Sequence, residues 1–309
     1  MDNKSHSITF IIPCKDEEYN IGNVIKDCFK YLPNCSVIVC DNCCKDNTAK
    51  EAENAGAQVI FENRLGKGHA VRRLINVCDS DIIIMIDGDN TYDVSSIPSA
   101  LRKFIAGNYD VASANRLVNS RGHNRFGHYF GNIAFNKFAS VLLGRPQYDL
   151  FSGLFIFKKE FLLTFPLFSN GFEIEAELAT HIARMDSKFF SFPMTLRSRV
   201  IGKSKLNTIS DSLRILSLLL KNSTTEFPLR VFTPLAFITL ILSIIFCSLP
   251  ITEYFLTGFV TYFPRLIVGT GLLIASIILI LTGIILYSLC RNRIESRIFI
   301  SRILDKIDS

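Results

Sequence analysis

The sequence lacks an even, regularly spaced cysteine framework: it has nine cysteines, seven of them before Asp79 and set inside apolar runs or beside acidic motifs. That distribution argues against a disulfide-stapled scaffold and reads as the reduced thiols of a cytosol-facing domain. Cys40, Cys43 and Cys44 have a C-x-x-C look, but no second Cys/His pair stands nearby at zinc spacing, which argues against a metal knuckle. A large excess of one charge is also missing. The net charge of +6 is too small to point to nucleic acid and suits an anionic membrane surface or phosphate-bearing ligands. Near the start there is no apolar run of signal-peptide length, since Ile8–Cys14 is short and Asp16, Glu17 and Glu18 follow it. Low hydrophobicity is absent as well. Hydrophobic residues make up 49% of the chain and the mean hydropathy is +0.29, which excludes a disordered chain, a collagen and a coiled coil.

The surplus of apolar residues lies at the C-terminal end. Leu266 to Cys290 contains no charged residue in 25 positions. At about 1.5 Å per residue such a helix reaches roughly 38 Å, against a hydrocarbon core of about 30 Å, so it spans with tilt. Val231 to Ile251 is a second uncharged run, bounded by Arg230 and Glu253. A single run of this kind is also what a buried core helix looks like; two in tandem favour a transmembrane hairpin. Between Arg197 and Arg230 stand seven Lys/Arg and two acids, and the tail carries Arg291, Arg293, Arg297, Arg302 and Lys306. The short connection holds only Glu253 and Arg265. Both outer flanks, and with them both termini and the N-terminal domain, are therefore expected on the cytoplasmic side. The expected organisation is a domain over 1–208, a juxtamembrane interfacial helix over 209–230, spans near 231–251 and 266–290 with a short outside loop, and a basic tail over 291–309. For 209–220 and 294–307 an ordinary helix packed on the N-terminal domain is an equal alternative.

The first two hundred residues alternate short β-rich runs with helical stretches. Ile8–Ile12, Val37–Val39, Gln58–Phe61, Ile82–Ile86, Asp110–Ala114 and Leu154–Phe157 read as strands, and Asn20–Leu32, Asn47–Ala55, His69–Cys78 and Ile97–Ala106 as helices. This predicts an α/β fold with a mostly parallel, Rossmann-like mixed sheet covered by helices on both faces. In such sheets ligands sit at the carboxyl ends of strands. There stand Pro13 to Glu18 after the first strand, Asp41-Asn42 after the second and Asp87-Gly88-Asp89 after the fourth. Two carboxylates with Gly88 between them can face one divalent cation, and hard oxygen ligands favour Mg²⁺ or Mn²⁺. The same triplet also suits a helix cap and turn. Gly66-Lys67-Gly68 lets the backbone approach a ligand and offers Lys67 to a phosphate, although the full P-loop spacing is missing and a plain loop is the alternative.

The order Ile11–Ile21 (IIPCKDEEYNI), Asp41–Thr48 (DNCCKDNT), Gly66–Ala70 (GKGHA) and Asp87–Tyr92 (DGDNTY) resembles family 2 glycosyltransferases of GT-A fold. Asp149–Gly153 (DLFSG), Gly171–Leu178 (GFEIEAEL) and Arg199–Leu206 (RVIGKSKL) resemble the polyprenyl-phosphate branch of that family, which includes dolichol-phosphate mannosyltransferase and undecaprenyl-phosphate glucosyltransferases. The sequence departs from the pattern at Asp16, where Asn is usual, and at Cys43 and Cys44, where Gly or Ser is common. The resemblance implies transfer of a hexose, with inversion, from a nucleotide-sugar to a polyprenyl phosphate. UDP is preferred over GDP as the carrier and undecaprenyl phosphate is the expected acceptor, making a lipid-linked donor for cell-surface glycan modification. It also implies a homotetramer in a bacterial plasma membrane.

Site roles follow from the same resemblance. Pro13, Asp16, Glu18, Asp41, Lys67, Asp87 and Gly88 would bind the nucleotide-sugar, and Asp87 and Asp89 would hold Mg²⁺ or Mn²⁺. Asp89, Arg116 and Arg199 would be catalytic. Arg116, Arg125, Arg199 and Lys205 would receive the acceptor phosphate, for which arginine forks suit best. A phosphate monoester has its second pKa near about 6 and is largely dianionic at neutral pH, so the need for a general base is small. The roles of Glu173, Glu175 and Glu177 stay open between packing or helix capping and acceptor positioning. A processive polysaccharide synthase would usually carry a Gln-x-x-Arg-Trp motif, and the chain has no tryptophan. The remaining alternatives are transfer to a saccharide or protein hydroxyl and a non-catalytic, membrane-tethered nucleotide-sugar-binding protein.

Overall fold

The computed structural model describes residues 6–116, 126–146, 149, 152–171, 173–185, 187–197 and 208–307. The chain divides into two units, 1–219 and 220–309.

In the first unit the order of elements is β1 (Ile8–Cys14), α1 (Ile21–Tyr31), β2 (Ser36–Asp41), α2 (Thr48–Asn54), β3 (Gln58–Phe61), α3 (Lys67–Val77), β4 (Ile82–Met85), α4 (Ile97–Ala106), β5 (Val111–Asn115), α5 (Phe126–Leu143), β6 (Phe155–Lys158), α6 (Lys159–Thr164), α7 (Ile174–Arg184) and β7 (Phe189–Pro193). The strands form one seven-stranded sheet in the order β3-β2-β1-β4-β6-β5-β7. Strands β1 to β4 are mutually parallel, β6 runs against both β4 and β5, and β7 is parallel to β5. Only β6 is reversed, so the other six strands end on one edge.

Alternation along the strands feeds two cores. Phe10, Ile12, Ile82, Ile84, Ala112, Ile156 and Phe190 face one side. There α1 supplies Ile21, Val24, Ile25 and Cys28 and α4 supplies Ile97, Ala100, Leu101 and Phe104, both at i, i+3, i+4, i+7 spacing. Ile11, Ile38, Ile83, Met85, Val111 and Phe157 face the other side, against Val71 and Leu74 of α3 and Ile174, Leu178 and Ile182 of α7. The expected strands and helices of this unit are all present. Strand β7 and helices α5 to α7 add to them.

The second unit contains the end of α8 (Thr208–Glu226), then α9 (Pro228–Thr257) and α10 (Phe263–Ile307). The segments Pro228–Thr257 and Phe263–Asn292 are long and apolar enough to cross a membrane, with mean hydropathy 2.4 and 2.6. α10 continues unbroken into the basic tail. Small residues bring α9 and α10 together. The Ser243 hydroxyl donates to the Gly269 carbonyl at 2.7 Å and the Ser276 hydroxyl to the Ala236 carbonyl at 2.8 Å. Cross-helix bonds of this kind suit an apolar surround, where backbone groups have no water to turn to. At the connection Gly258 takes φ +75° and its N–H closes the helix on the Tyr254 carbonyl.

Candidate active site

The shared strand edge collects the polar motifs. Asp41 pairs in register with Cys14 and with Phe61, and the Asn42 N–H donates to the Cys14 carbonyl at 2.9 Å. Two loops leave this edge and are tied to each other by carboxylates. Asp16, at φ 47°, accepts the Lys45 N–H at 2.7 Å, and Glu18 accepts the Asn47 N–H at 3.1 Å. Asp41, almost fully buried, accepts the Cys44 N–H at 2.8 Å. Pro13 is the half-buried penultimate residue of β1. Asp16, Cys44 and Asp46 lie within 4.8 Å of one another. Burial pushes the Cys44 thiol up to about 11, so at neutral pH the thiol of this trio is neutral. None of the nine cysteines is in a disulfide.

Asn42 organises the next loop. Its side chain donates to the Arg64 carbonyl at 2.7 Å and accepts the Gly66 N–H at 2.7 Å. Glu62, beside it, is gripped by the Arg64 guanidinium at 2.9 and 3.0 Å, which holds its carboxyl down at about 2. Gly66 has φ +140°, and a Cβ on Gly66 or Gly68 would collide with the carbonyls of Asn170 or Ser169. The close backbone approach of the Gly-Lys-Gly segment is thus to the 169–170 turn. Glu177 holds that turn by accepting the N–H groups of Phe168 and Ser169 at 2.7 Å each.

Lys67 begins α3 and points into the centre of the site. Its ammonium lies 2.8 Å from Asp87 and 2.8 Å from Glu175. Lys67 and Glu175 are 8% and 6% exposed, whereas Asp87 is 29% exposed. Burial opposes the Lys67 charge, but the two carboxylates outweigh it and hold the pKa well above the usual lysine value. Burial raises the Glu175 pKa, and Lys67 only partly counters it.

The acidic triplet follows β4 after Ile86. Gly88 is packed on Cys14, and a Cβ there would strike the thiol. The Asp89 carboxylate accepts the Thr91 N–H at 3.1 Å and its hydroxyl at 2.6 Å. Gly153, entering β6 from the same edge, sits so close to the Asp87 carboxylate that any Cβ would overlap it. The Gly153 N–H donates to the buried Tyr92 hydroxyl at 2.6 Å. Just past β5, Arg116 forks onto buried Asp149 through Nε at 2.6 Å and Nη2 at 2.8 Å, and its backbone N–H reaches the same carboxylate at 3.1 Å.

Asp87, Lys67 and Glu175 are therefore brought into direct contact, with Gly153 against Asp87 and Tyr92 against Gly153. Asp16, Glu18 and Asp41 brace the neighbouring loops. Arg125, Arg199 and Lys205 lie outside the described residues. Sequence reasoning did not single out Asp149, Tyr92, Gly153 or Asn42 as site residues, although each stands inside one of the quoted motifs. Glu175 and Glu177 part company: the first joins the charged cluster and the second caps a turn.

Comparison with known proteins agrees with this architecture. The family model for glycosyl transferase family 2 matches residues 9–164, from β1 to the end of α6. Glycosyltransferase AglJ of Haloferax volcanii is 30% identical over 234 residues, covering 75% of this chain and 77% of that protein. A dolichyl-phosphate hexose transferase of the same organism is 29% identical across 62% of this chain and 83% of its own length. Glucosyl-3-phosphoglycerate synthase from Mycobacterium tuberculosis, solved in complex with Mn²⁺ and UDP-glucose, shares the fold with a TM-score of 0.59 at 21% identity, covering 71% of this chain and 79% of that one. The matched residues include Asp41, Lys67, Asp87, Asp89, Arg116 and Asp149 of the strand edge, while Glu175 lies beyond them, and the chain belongs to glycosyl transferase family 2.

Proposed function

We propose that the protein is a membrane-anchored, inverting transferase that moves a hexose from a UDP-sugar to a polyprenyl phosphate, with undecaprenyl phosphate as the acceptor. The observation that carries this reading is the combination of a charged strand edge, with Lys67 on Asp87 and Arg116 forked onto Asp149, and two spanning-length apolar helices in one chain. A relative named for dolichyl-phosphate hexose transfer supports the acceptor class, and a fold relative solved with UDP-glucose supports the donor class. The basic outer flanks support a cytoplasmic side for the catalytic domain and both termini, with α9 and α10 as the hairpin. A polyprenyl chain leaves the bilayer only at a cost of about 0.8 kcal/mol per CH₂, so an enzyme using it works best at the interface.

The donor set fits a hard divalent cation: Asp87 and Asp89 offer carboxylate oxygens on a segment whose backbone is fixed by Gly88 against Cys14. Mg²⁺ or Mn²⁺ held by Asp89, with help from Asp87, would supply charge neutralisation for the leaving diphosphate. The residues of the chain do the rest. Lys67 keeps Asp87 oriented, and Asp16, Glu18 and Asp41 hold the two loops that would flank the nucleoside. Arg116, preset by Asp149, meets the acceptor phosphate. An oxygen of that phosphate attacks the anomeric carbon as the bond to UDP breaks, and the product carries the inverted linkage. The acceptor is already anionic, so no base is needed to remove a proton.

The test is transfer by purified full-length protein with Mg²⁺ or Mn²⁺, undecaprenyl phosphate and a panel of labelled UDP- and GDP-sugars, counting organic-extractable label. One UDP-sugar should label the lipid, and Asp89→Ala should lower that rate by at least about 100-fold while the protein stays folded. Metal-dependent label in a polar product instead would move the acceptor to a hydroxyl. Full activity of Asp89→Ala at limiting metal would remove the metal assignment.

A further inference from the structure

One neutral side chain stands between the two charged pairs of the site. Tyr92 follows Asp89 by three positions, and its ring is buried in the core that α1 and α4 share with the sheet. Its hydroxyl accepts the Gly153 N–H at 2.6 Å, which joins two segments 61 positions apart. On one side, Gly153 leaves no room for a Cβ against the Asp87 carboxylate. On the other side the segment leads back to Asp149. The Ser152 N–H donates to the Asp149 carbonyl at 3.3 Å, and the Ser152 hydroxyl donates to the Leu154 carbonyl at 3.2 Å. That same Leu154 carbonyl accepts the N–H of Ala114 in β5 at 3.0 Å, just before Arg116, which Asp149 holds. Burial raises the Tyr92 hydroxyl above its ordinary value of 10.0; Arg116 works against the rise, and Asp87 and Asp149 add to it. The hydroxyl therefore stays neutral among these charges. The backbone on either side of Tyr92 is pinned by bonds that do not involve the hydroxyl. The Arg197 N–H donates to the Thr91 carbonyl at 2.8 Å, and the Asp93 N–H donates to the Thr195 carbonyl at 3.2 Å.

We propose that Tyr92 is a positioning residue: by holding Gly153, its hydroxyl sets the spacing between the donor-side carboxylate Asp87 and the acceptor-side pair Arg116–Asp149. This inference rests on the function proposed above. The charged pairs themselves do not need the hydroxyl, since Lys67 faces Asp87 and Arg116 forks onto Asp149 directly. What changes on its removal is the Gly153 N–H, a buried donor deprived of its acceptor, and such a group is costly to leave bare. The oxygens packed against Gly153 are those of Asp87, so the amide and the carboxylate are drawn into a new arrangement. Each substrate still meets its own ligands. The loss is felt when both substrates must be aligned at once, in the transition state. A tyrosine suits this task because its rigid ring is fixed by the core and carries the acceptor oxygen at a set point.

The experiment uses the full chain in detergent with Tyr92→Phe, which keeps the ring, and Tyr92→Leu, which removes ring and hydroxyl together. Hydrogen exchange is read first. In wild type the Gly153 amide should be protected to the level of the β6 amides. In Tyr92→Phe, exchange over 152–154 should rise at least about tenfold while that over 82–85 is unchanged. In the transfer assay, kcat of Tyr92→Phe should fall at least about tenfold. The UDP dissociation constant with Mg²⁺ and the KM for undecaprenyl phosphate should both stay within about twofold of wild type. Tyr92→Leu should lose at least as much kcat and also melt at a lower temperature. If the ring alone matters, Tyr92→Phe keeps wild-type exchange and kcat and only Tyr92→Leu suffers, which overturns the proposal. A loss in Tyr92→Phe that falls on substrate affinity with kcat unchanged overturns it too. So does a Gly153 amide that exchanges freely in wild type, whatever the variants do. If wild type labels no lipid, the acceptor reading above fails, and exchange over 152–154 still decides whether Tyr92 holds Gly153.

Discussion

Lys67→Met tests whether the buried cluster is organised around a single cation. The variant removes the ammonium that lies 2.8 Å from both Asp87 and Glu175. Asp87 is 29% exposed and keeps contact with solvent, whereas Glu175, at 6%, is left as a buried carboxylate with its close cation gone. Removing one partner of a buried ion pair typically costs about 3–5 kcal/mol. For a unit of this size each kcal/mol is worth about 2–4 °C, so the melting temperature should fall by roughly 6–20 °C. The loss should depend on pH in a defined direction. Burial already raises the Glu175 pKa above its ordinary value of 4.5, and losing Lys67 raises it further. A carboxyl raised in the folded state favours the fold in its neutral form. Its contribution is complete below the unfolded pKa and is lost as pH rises through the folded one. The gap between wild type and Lys67→Met should therefore be widest at neutral and alkaline pH and close toward pH 4.5. The chain has no tryptophan, so unfolding is best followed by a thiol-reactive dye reporting Cys28, Cys40 and Cys78, all buried in the two cores. Adding Glu175→Gln to Lys67→Met should recover at least half of the loss. A gap that does not change with pH, or a double variant no more stable than Lys67→Met, would refute the reasoning.

Gly153→Ala should lower kcat/KM for the donor by about 100-fold, because a Cβ at this position can be accommodated only by displacing the Asp87 carboxylate, and small misplacements at a reacting site cost about that much. Steady-state kinetics beside a melting curve checks this, and wild-type activity would show that Asp87 need not stand where it does. Glu62→Gln probes acid stability: the Arg64 guanidinium depresses the Glu62 carboxyl from 4.5 to about 2, so its stabilisation is present above pH 4.5 and fades as pH falls toward 2. Wild type should melt above Glu62→Gln at neutral pH, with the difference narrowing through that window. A constant difference would mean that the Arg64 contact does not set the titration.

Much of the fold was legible because its evidence is local. The runs at Ile8, Val37, Gln58 and Ile82 are short, apolar and followed by turn or acidic residues, and helices α1 and α4 carry their apolar residues at i, i+3, i+4, i+7. Strand β7 escaped because Phe189–Pro193 is five residues with Ser191 inside and Pro193 at its end, and what makes it a strand is pairing with β5 some 78 positions earlier. The insertion of β6 between β4 and β5 is likewise a tertiary fact, since Ile84 meets Ile156 across the sheet. The glutamates show the same limit at the site. In Glu173, Glu175 and Glu177 the residue type was plain, but one partner of Glu175 begins α3, 108 positions away, and the partners of Glu177 are two backbone N–H groups.

The pairing of Lys67 changes what the site requires. A lysine after a glycine in a loop reads as a phosphate contact, yet here its charge is countered by two carboxylates. Among the described residues, Asp87, Asp149 and Glu175 bring three carboxyl groups to the contacts around Lys67 and Arg116, and Asp89 adds a fourth two positions from Asp87. Even with Glu175 neutral, as burial favours, the remaining three carboxylates exceed the cations by one. Bringing a nucleoside diphosphate and a phosphate monoester onto such a surface is unfavourable until positive charge is added from elsewhere. On the proposed reading, a divalent cation at Asp89 would supply part of it, and the basic sequence from Arg199 to Lys205 would supply more. The order of binding follows: the metal and donor should enter before the acceptor phosphate, because the acceptor gains most from charge that the donor side has already neutralised. Measuring acceptor affinity with and without UDP and Mg²⁺ tests that order, and equal affinities would mean that the cluster's negative balance does not reach the acceptor.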